Sequence, residues 1–140
     1  MDPRPYLPTD RAACLAIYDS NAASPEDRKK LEAFLSNPEG PFFVIEHDGR
    51  ILGCGGFTTS AEPGLATLVW GMVRSEAQGQ GLGRFLLMYR LREIGKLAGI
   101  QRVRLLTSRP AARFFEGQGF KVAGEVDGQV EMVKKLTVCA

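Results

Sequence analysis

Gln78-Gly79-Gln80-Gly81-Leu82-Gly83-Arg84 lies between an apolar run, Leu65 to Val73, and a leucine-rich segment with helical spacing. Three alternate glycines let the backbone turn tightly and approach a ligand with no Cβ in the way. The helix that follows starts with unpaired N–H groups and carries partial positive charge at that end. Strand, glycine turn and helix start together make a site for a phosphate. Two familiar phosphate loops fail on spacing. A dinucleotide fingerprint beginning at Gly79 needs glycine where Arg84 stands, and no Gly-Lys-Ser or Gly-Lys-Thr completes a Walker loop. The pattern that remains is Q-x-x-G-x-G.

Working outward, the 140 residues suit one domain, 1–140, with 44% hydrophobic and 24% charged residues, ordinary for a soluble globular protein. A net charge of +2 gives no reason to propose nucleic acid or an anionic membrane as partner. Cys14, Cys54 and Cys139 form no C-x-x-C pair and read as reduced thiols of a cytoplasmic protein. Met1 to Asp10, with three prolines and no apolar core, does not read as a signal peptide. The longest apolar run is far too short to span a bilayer. His47 is the only histidine and sits beside the turn pair Asp48-Gly49, so it reads as a solvated turn residue. Metal sites and Ser-His-Asp chemistry are therefore weak readings, and no metal is expected.

Hydrophobic spacing and turn chemistry give the element order β-α-α-β-β-β-α-β-α-β-β. The chain starts extended over Arg4 to Tyr6, and Pro8-Thr9-Asp10 can cap a helix running to Tyr18. Ser24-Pro25-Glu26-Asp27 opens a second helix whose face carries Leu31, Phe34 and Leu35. Strands Phe42 to Glu46 and Ile51 to Thr58 flank Asp48-Gly49, and the loop Ser60 to Gly64 leads to the strand Leu65 to Val73. After the glycines, Leu87, Leu91, Ile94 and Ala98 form one stripe, with Gly99 as C-terminal cap. Then come a strand Val103 to Thr107, a helix Pro110 to Glu116, and strands Phe120 to Val126 and Val130 to Val138 about Asp127-Gly128. Strand, helix, strand from Leu65 to Thr107 demands a parallel crossover, while the hairpins are antiparallel. One twisted mixed sheet covered by helices, an α/β architecture, follows. Trp70 and Phe114 read as core, with pocket walls as the alternative, and Cys54 as a buried small residue rather than a nucleophile.

The glycine loop and this element order resemble the GNAT superfamily of acyl-CoA-dependent N-acetyltransferases. The stretch Ser108-Arg109-Pro110-Ala111-Ala112-Arg113-Phe114-Phe115-Glu116-Gly117-Gln118-Gly119-Phe120 extends the resemblance, keeping Ala111, Glu116, Gly119 and Phe120 in the family's register. The resemblance implies the GNAT fold, about seven strands and about four helices. It implies acetyl-CoA as co-substrate, held by backbone groups of Gly71, Met72 and Val73 and by Gln78 to Arg84, with Ser108 and Phe115 alongside. Arg84, Arg109 and Arg113 become candidates for the 3′-phosphate. Tyr18, Asn21 and the loop Ser60 to Gly64 would border the acceptor pocket. The implied reaction moves an acetyl group to a primary amine of a small molecule, amino acid or peptide by direct attack in a ternary complex. A homodimer is compatible with it.

Two positions depart from the family pattern. Phe115 stands where many relatives have the tyrosine that protonates the leaving thiolate, and Thr67 where some have a carboxylate base. Glu62, Glu46 or Tyr89 could substitute. A lysine-type amine of pKa about 10.4 is neutral about once in a thousand molecules near pH 7.4, worth about 4 kcal/mol, whereas an α-amine near 8 needs about one. Without an evident base, proximity favours the less basic acceptor. Phe115 and Thr67 also keep open a catalytically weak module that binds acyl-CoA as a sensor, and a loop accepting another phosphate would make a nucleotide-binding regulatory domain.

Overall fold

The computed structural model describes residues 3–21 and 24–136. Cys139 and the end of the last expected strand, Thr137 and Val138, lie outside the described residues. The element order matches the sequence reading: β1 (Pro3–Pro5), α1 (Arg11–Ser20), α2 (Pro25–Ser36), β2 (Phe42–His47), β3 (Arg50–Thr58), β4 (Leu65–Val73), α3 (Leu82–Gly95), β5 (Arg102–Thr107), α4 (Arg109–Gly117), β6 (Lys121–Val126) and β7 (Gln129–Lys135). Short 3-10 turns occupy Pro8–Asp10 and Ser75–Ala77. The seven strands form one mixed sheet in the order β1-β2-β3-β4-β5-β7-β6.

The residues fall into two compact units. One holds Met1–Phe57 and Trp70–Arg92, the other Thr58–Val69 and Glu93–Ala140. In the first, β1 and β3 pair antiparallel with β2. The β2–β3 turn places Asp48 and Gly49 at φ 52° and 75°, the two left-handed positions an Asp-Gly hairpin turn requires. Cys14, Leu15 and Ile17 of α1 and Leu31 and Leu35 of α2 pack on Phe42, Val44 and Cys54, with Phe34 and Trp70 half-buried at the margin. Cys14 and Cys54, forty residues apart, meet in this core. The hydrogen bond to Cys14 and burial push the Cys54 thiol well above its ordinary range. Ser24 caps α2 as the sequence indicates, its Oγ accepting from the Asp27 N–H at 3.1 Å.

Asp10 does different work from the expected capping of α1. Its carboxylate accepts from the Leu7 N–H at 2.8 Å and takes both terminal nitrogens of Arg4. Those bonds from Arg4 hold its carboxyl below the usual carboxylate range. The helix stripe also differs. Leu82, Leu86, Leu87, Arg90 and Ile94 are buried, Leu91 is half-buried, and α3 ends at Gly95 with Ala98 exposed beyond it. Gly99 does adopt the left-handed conformation, φ 82°. A long charged side chain in a core position breaks the apolar pattern on which a periodicity argument rests.

In the second unit β4 and β5 run parallel, Leu65 opposite Arg102 and Thr67 opposite Arg104, as the crossover requires. β7 pairs antiparallel with β5 and β6, and the β6–β7 turn repeats the Asp-Gly geometry at Asp127 and Gly128. Alternation divides the faces. Ala66, Val103, Leu105, Val130 and Met132 are buried, while Arg102, Arg104 and Glu131 stand on the opposite face. Phe114 is 40% exposed and does not belong to the core expected for it.

Candidate active site

Ala77 and Leu82 are buried at 6% and 5%, and they pin the two ends of an exposed loop. Between them Gly79 and Gly81 adopt φ 79° and 83°, conformations that L side chains rarely tolerate. Gly83 differs, because it lies within the first turn of α3 and needs no left-handed backbone. A Cβ at any of the three would meet nothing within 4 Å. The first helical bond runs from the Phe85 N–H to the Gly81 carbonyl at 3.0 Å. The N–H groups of Leu82, Gly83 and Arg84 therefore have no acceptor within the helix. Open space over unsatisfied amides at the positive end of a helix suits a phosphate.

A side-chain bracket sets the height of this loop against β4. Asn21 Nδ2 donates to the carbonyls of Ile17 at 3.0 Å and Val73 at 3.1 Å. Gln78 Nε2 donates to Asn21 Oδ1 at 2.6 Å and again to the Val73 carbonyl at 3.1 Å. Both donors of each amide are thus engaged internally. The Val73 carbonyl, with two donors on two lone pairs, has no capacity for a ligand amide. Tyr18 is anchored likewise, its hydroxyl donating to the Ser24 carbonyl at 3.2 Å and accepting from the Ser24 N–H at 3.1 Å. Its ring meets Trp70 edge-on at 6.3 Å. Sequence reasoning singled these residues out as ligand-facing and could not see that Asn21 and Gln78 brace the loop and that Tyr18 holds Ser24.

It missed Trp70 and Arg90 in other ways. Trp70 takes φ 50° inside a strand, which a bulky residue adopts only under constraint. Next to it Gly71 is exposed, and a Cβ there would stand 2.7 Å from Arg90 Nη2. Gly55 is equally restricted, its Cβ 3.1 Å from Arg90 Cζ. The two glycines make room for a guanidinium that is 5% exposed and held by long bonds to the carbonyls of Gly56, 3.3 Å, and Leu86, 3.5 Å. Burial without a facing carboxylate lowers its pKa to about 10, and Cys54 only partly opposes the shift.

The other expected site residues divide as follows. Glu46 pairs with Arg4 at 3.0 Å. Tyr89 packs edge-on against Phe43 at 5.1 Å. In the second unit, Ser108 Oγ caps α4 by accepting from the Ala111 N–H at 3.4 Å, and Phe115 packs between Phe114 and Phe120. Arg109 pairs with Glu125, a carboxylate the phosphate reading did not anticipate. Arg84 and Arg113 are exposed. Glu62 pairs with Arg102 at 3.2 Å, and Thr67 Oγ1 is buried without a hydrogen-bond partner. Among the described residues, no cluster of His, Cys, Asp and Glu could hold a metal ion, and no helix is long and apolar enough to cross a membrane.

Residues 38–122 match the Acetyltransferase (GNAT) domain family, and the chain belongs to that family. It is similar to the amino-acid acetyltransferase of Ralstonia nicotianae, 33% identical over 112 residues, 80% of this chain and 23% of the relative. The chain thus spans about a quarter of the length of that relative. Its fold is similar to that of N-acetylglutamate synthase from Neisseria gonorrhoeae, solved with coenzyme A and L-arginine. The TM-score is 0.78 at 24% identity, over 96% of this chain and 33% of that one. It is also similar to the ribosomal-protein-S18-alanine N-acetyltransferase of Escherichia coli, TM-score 0.81 at 22% identity, over 99% and 96% of the two chains.

Proposed function

We propose that residues 1–140 act as one N-acetyltransferase domain, moving an acetyl group from acetyl-CoA to a primary amine in the cytoplasm. The single observation that carries this is the open glycine turn at the start of α3 in a chain of this family. In this reading the amides from Gly79 to Arg84 hold the pyrophosphate, with Arg84 beside it. Charge-assisted bonds contribute about 1.5–3 kcal/mol each, so a few account for a micromolar affinity, about 8 kcal/mol. Gly71 is exposed, and in this reading its backbone and that of Met72 offer an edge to the pantetheine arm. The bracket of Asn21 and Gln78 keeps β4 and the loop at one spacing, which serves proximity.

The amine nitrogen attacks the thioester carbonyl carbon, the carbon–sulfur bond breaks, and its electron pair leaves on the sulfur. The proton lost by the amine goes to water or to the thiolate. Phe115 has no proton to give and Thr67 cannot act as a base at neutral pH, so the chain's contribution is position and charge. The relative's description as an amino-acid acetyltransferase supports an amino acid as acceptor.

Phe115 favours a second reading, a domain that binds acyl-CoA without turnover. Release of CoA thiol from acetyl-CoA across a panel of amines separates the two, and absence of release with every amine would leave only the second. Binding is checked independently. Acetyl-CoA at a hundred times its dissociation constant should stabilise the fold by about 2.7 kcal/mol, while NAD and ATP at equal concentration should do much less.

A further inference from the structure

Arg90 is a buried cation whose hydrogen-bonding capacity is mostly unused. Of its five N–H donors, Nε spends one on the Leu86 carbonyl and Nη1 one on the Gly56 carbonyl, both at long range. Nη2 has no acceptor among the described residues. Thr67 Oγ1 is the one solvent-sealed side-chain nitrogen or oxygen left without a partner among those residues, so Nη2 keeps a contact with solvent. Cys54 is the one titratable group that acts on the guanidinium, and no carboxylate faces it.

Burial penalises the charged form of such a group. Arg90 is nonetheless charged at neutral pH, its pKa lying at about 10. Its field falls on whatever rests against the neighbouring backbone, which is Gly71. The guanidinium covers the side of Gly71 where a Cβ would be, and the rest of that exposed residue is open to a ligand. Beside it Trp70 is held at φ 50°, and backbone strain of this kind clusters at ligand sites. All of these residues belong to the first unit.

We infer that Arg90 is a positioning residue for acetyl transfer, its fixed positive charge acting across Gly71 on the negative charge that develops at the thioester. The inference rests on the reading that acetyl-CoA lies along the backbone of Gly71 and Met72. The thioester is neutral before reaction. As the amine nitrogen bonds to the carbonyl carbon, the carbonyl π pair moves onto oxygen. When that pair returns, the carbon–sulfur bond breaks and its electrons leave on sulfur, while the surplus proton of the amine goes to water or to that sulfur. Negative charge appears only along this path. A cation already in place therefore favours the transition state over the ground state. Phe115 has no proton to give to the sulfur, which leaves charge as the means of stabilising it.

The test titrates the thiol of coenzyme A bound to the full chain, followed by the ultraviolet absorbance of the thiolate, with calorimetry at several pH values beside it. Bound to the parent, the thiol should ionise at least about one pH unit below free coenzyme A, the lower end of what a facing cation brings about. Affinity should rise about tenfold as the thiol ionises, whereas desulfo-coenzyme A, which has no thiol, should show no such rise. Arg90→Met should abolish the shift and Arg90→Lys keep part of it. With acetyl-CoA, Arg90→Met should lower kcat about tenfold and leave KM within about twofold. A thiol that titrates alike in the parent and in Arg90→Met would overturn the inference even if kcat fell, because a merely structural role loses rate without moving the thiol. Failure of coenzyme A to bind the parent would overturn the acetyltransfer reading and this inference together. Binding with an unshifted thiol would overturn the inference alone.

Discussion

Gln78 Nε2 lies 2.6 Å from Asn21 Oδ1, and both side chains close on the one carbonyl of Val73. Fifty-seven residues separate the two amides in sequence. Together they tie the C-terminus of α1, the end of β4 and the mouth of the glycine loop into one frame. Asn21→Ala should therefore weaken acetyl-CoA binding without removing a cofactor contact. The expected stability loss is about 1–2 kcal/mol in thermal unfolding. A double-mutant cycle with Gln78→Ala should give a coupling of at least about 0.5 kcal/mol, and strict additivity would show that the frame does not act as a unit.

Gly81 and Gly83 should separate by substitution. Gly81→Ala forces a side chain into the left-handed region at φ 83° and should destabilise by about 1–2 kcal/mol. Gly83→Ala meets no neighbour and sits in a helical turn, so the melting temperature should hold or rise, by up to about 1 kcal/mol of stability. Gly83→Glu should stay folded and lose acetyl-CoA affinity about a hundredfold, while Gly128→Glu in the far hairpin should not. Calorimetric titration of each variant checks the set.

Arg90 is held charged in the core at a measurable penalty. Its folded pKa of about 10 lies below the ordinary value, so from neutral pH up to about 10 the folded state carries the full cost of the buried cation. That cost amounts to about 3 kcal/mol at about 1.4 kcal/mol per unit. As pH rises past 10 the folded protein sheds the proton first, and this contribution to instability fades. Arg90→Met should raise the midpoint of urea unfolding at pH 7 by the equivalent of about 1–3 kcal/mol, with the gain shrinking above pH 10. A variant less stable than the parent at pH 7 would mean that the two long carbonyl bonds outweigh the buried charge.

The proton chemistry is open to a direct reading. Phe115 has no proton to give and Thr67 cannot act as a base at neutral pH, so on the direct-attack reading kcat/KM should rise with pH along each amine's own titration. Phe115→Tyr should leave kcat unchanged or raise it. A plateau fixed at one pH across amines of different basicity would identify an enzyme base instead. Glu62→Gln and Glu46→Gln then test the two carboxylates that the sequence offers.

The elements themselves were legible from sequence because they rest on local chemistry. Asp-Gly pairs can hold two left-handed residues, Ser24 can cap the helix it precedes, and the glycines after Val73 read as a turn leading into a helix. Relationships between distant residues were not legible. Asn21 and Gln78 looked like ligand-facing amides until folding brought them to one carbonyl. Arg90 drew no notice in the sequence because nothing in its own neighbourhood says that Gly55 and Gly71 leave space for it. Thr67 was visible as a missing base, yet its unpaired hydroxyl and its position opposite Arg104 arise only from the strand register. Backbone preference and capping act over a few residues and are written in the chain, whereas burial, unsatisfied polar groups and shared carbonyls depend on which segments meet, and only the tertiary structure decides that.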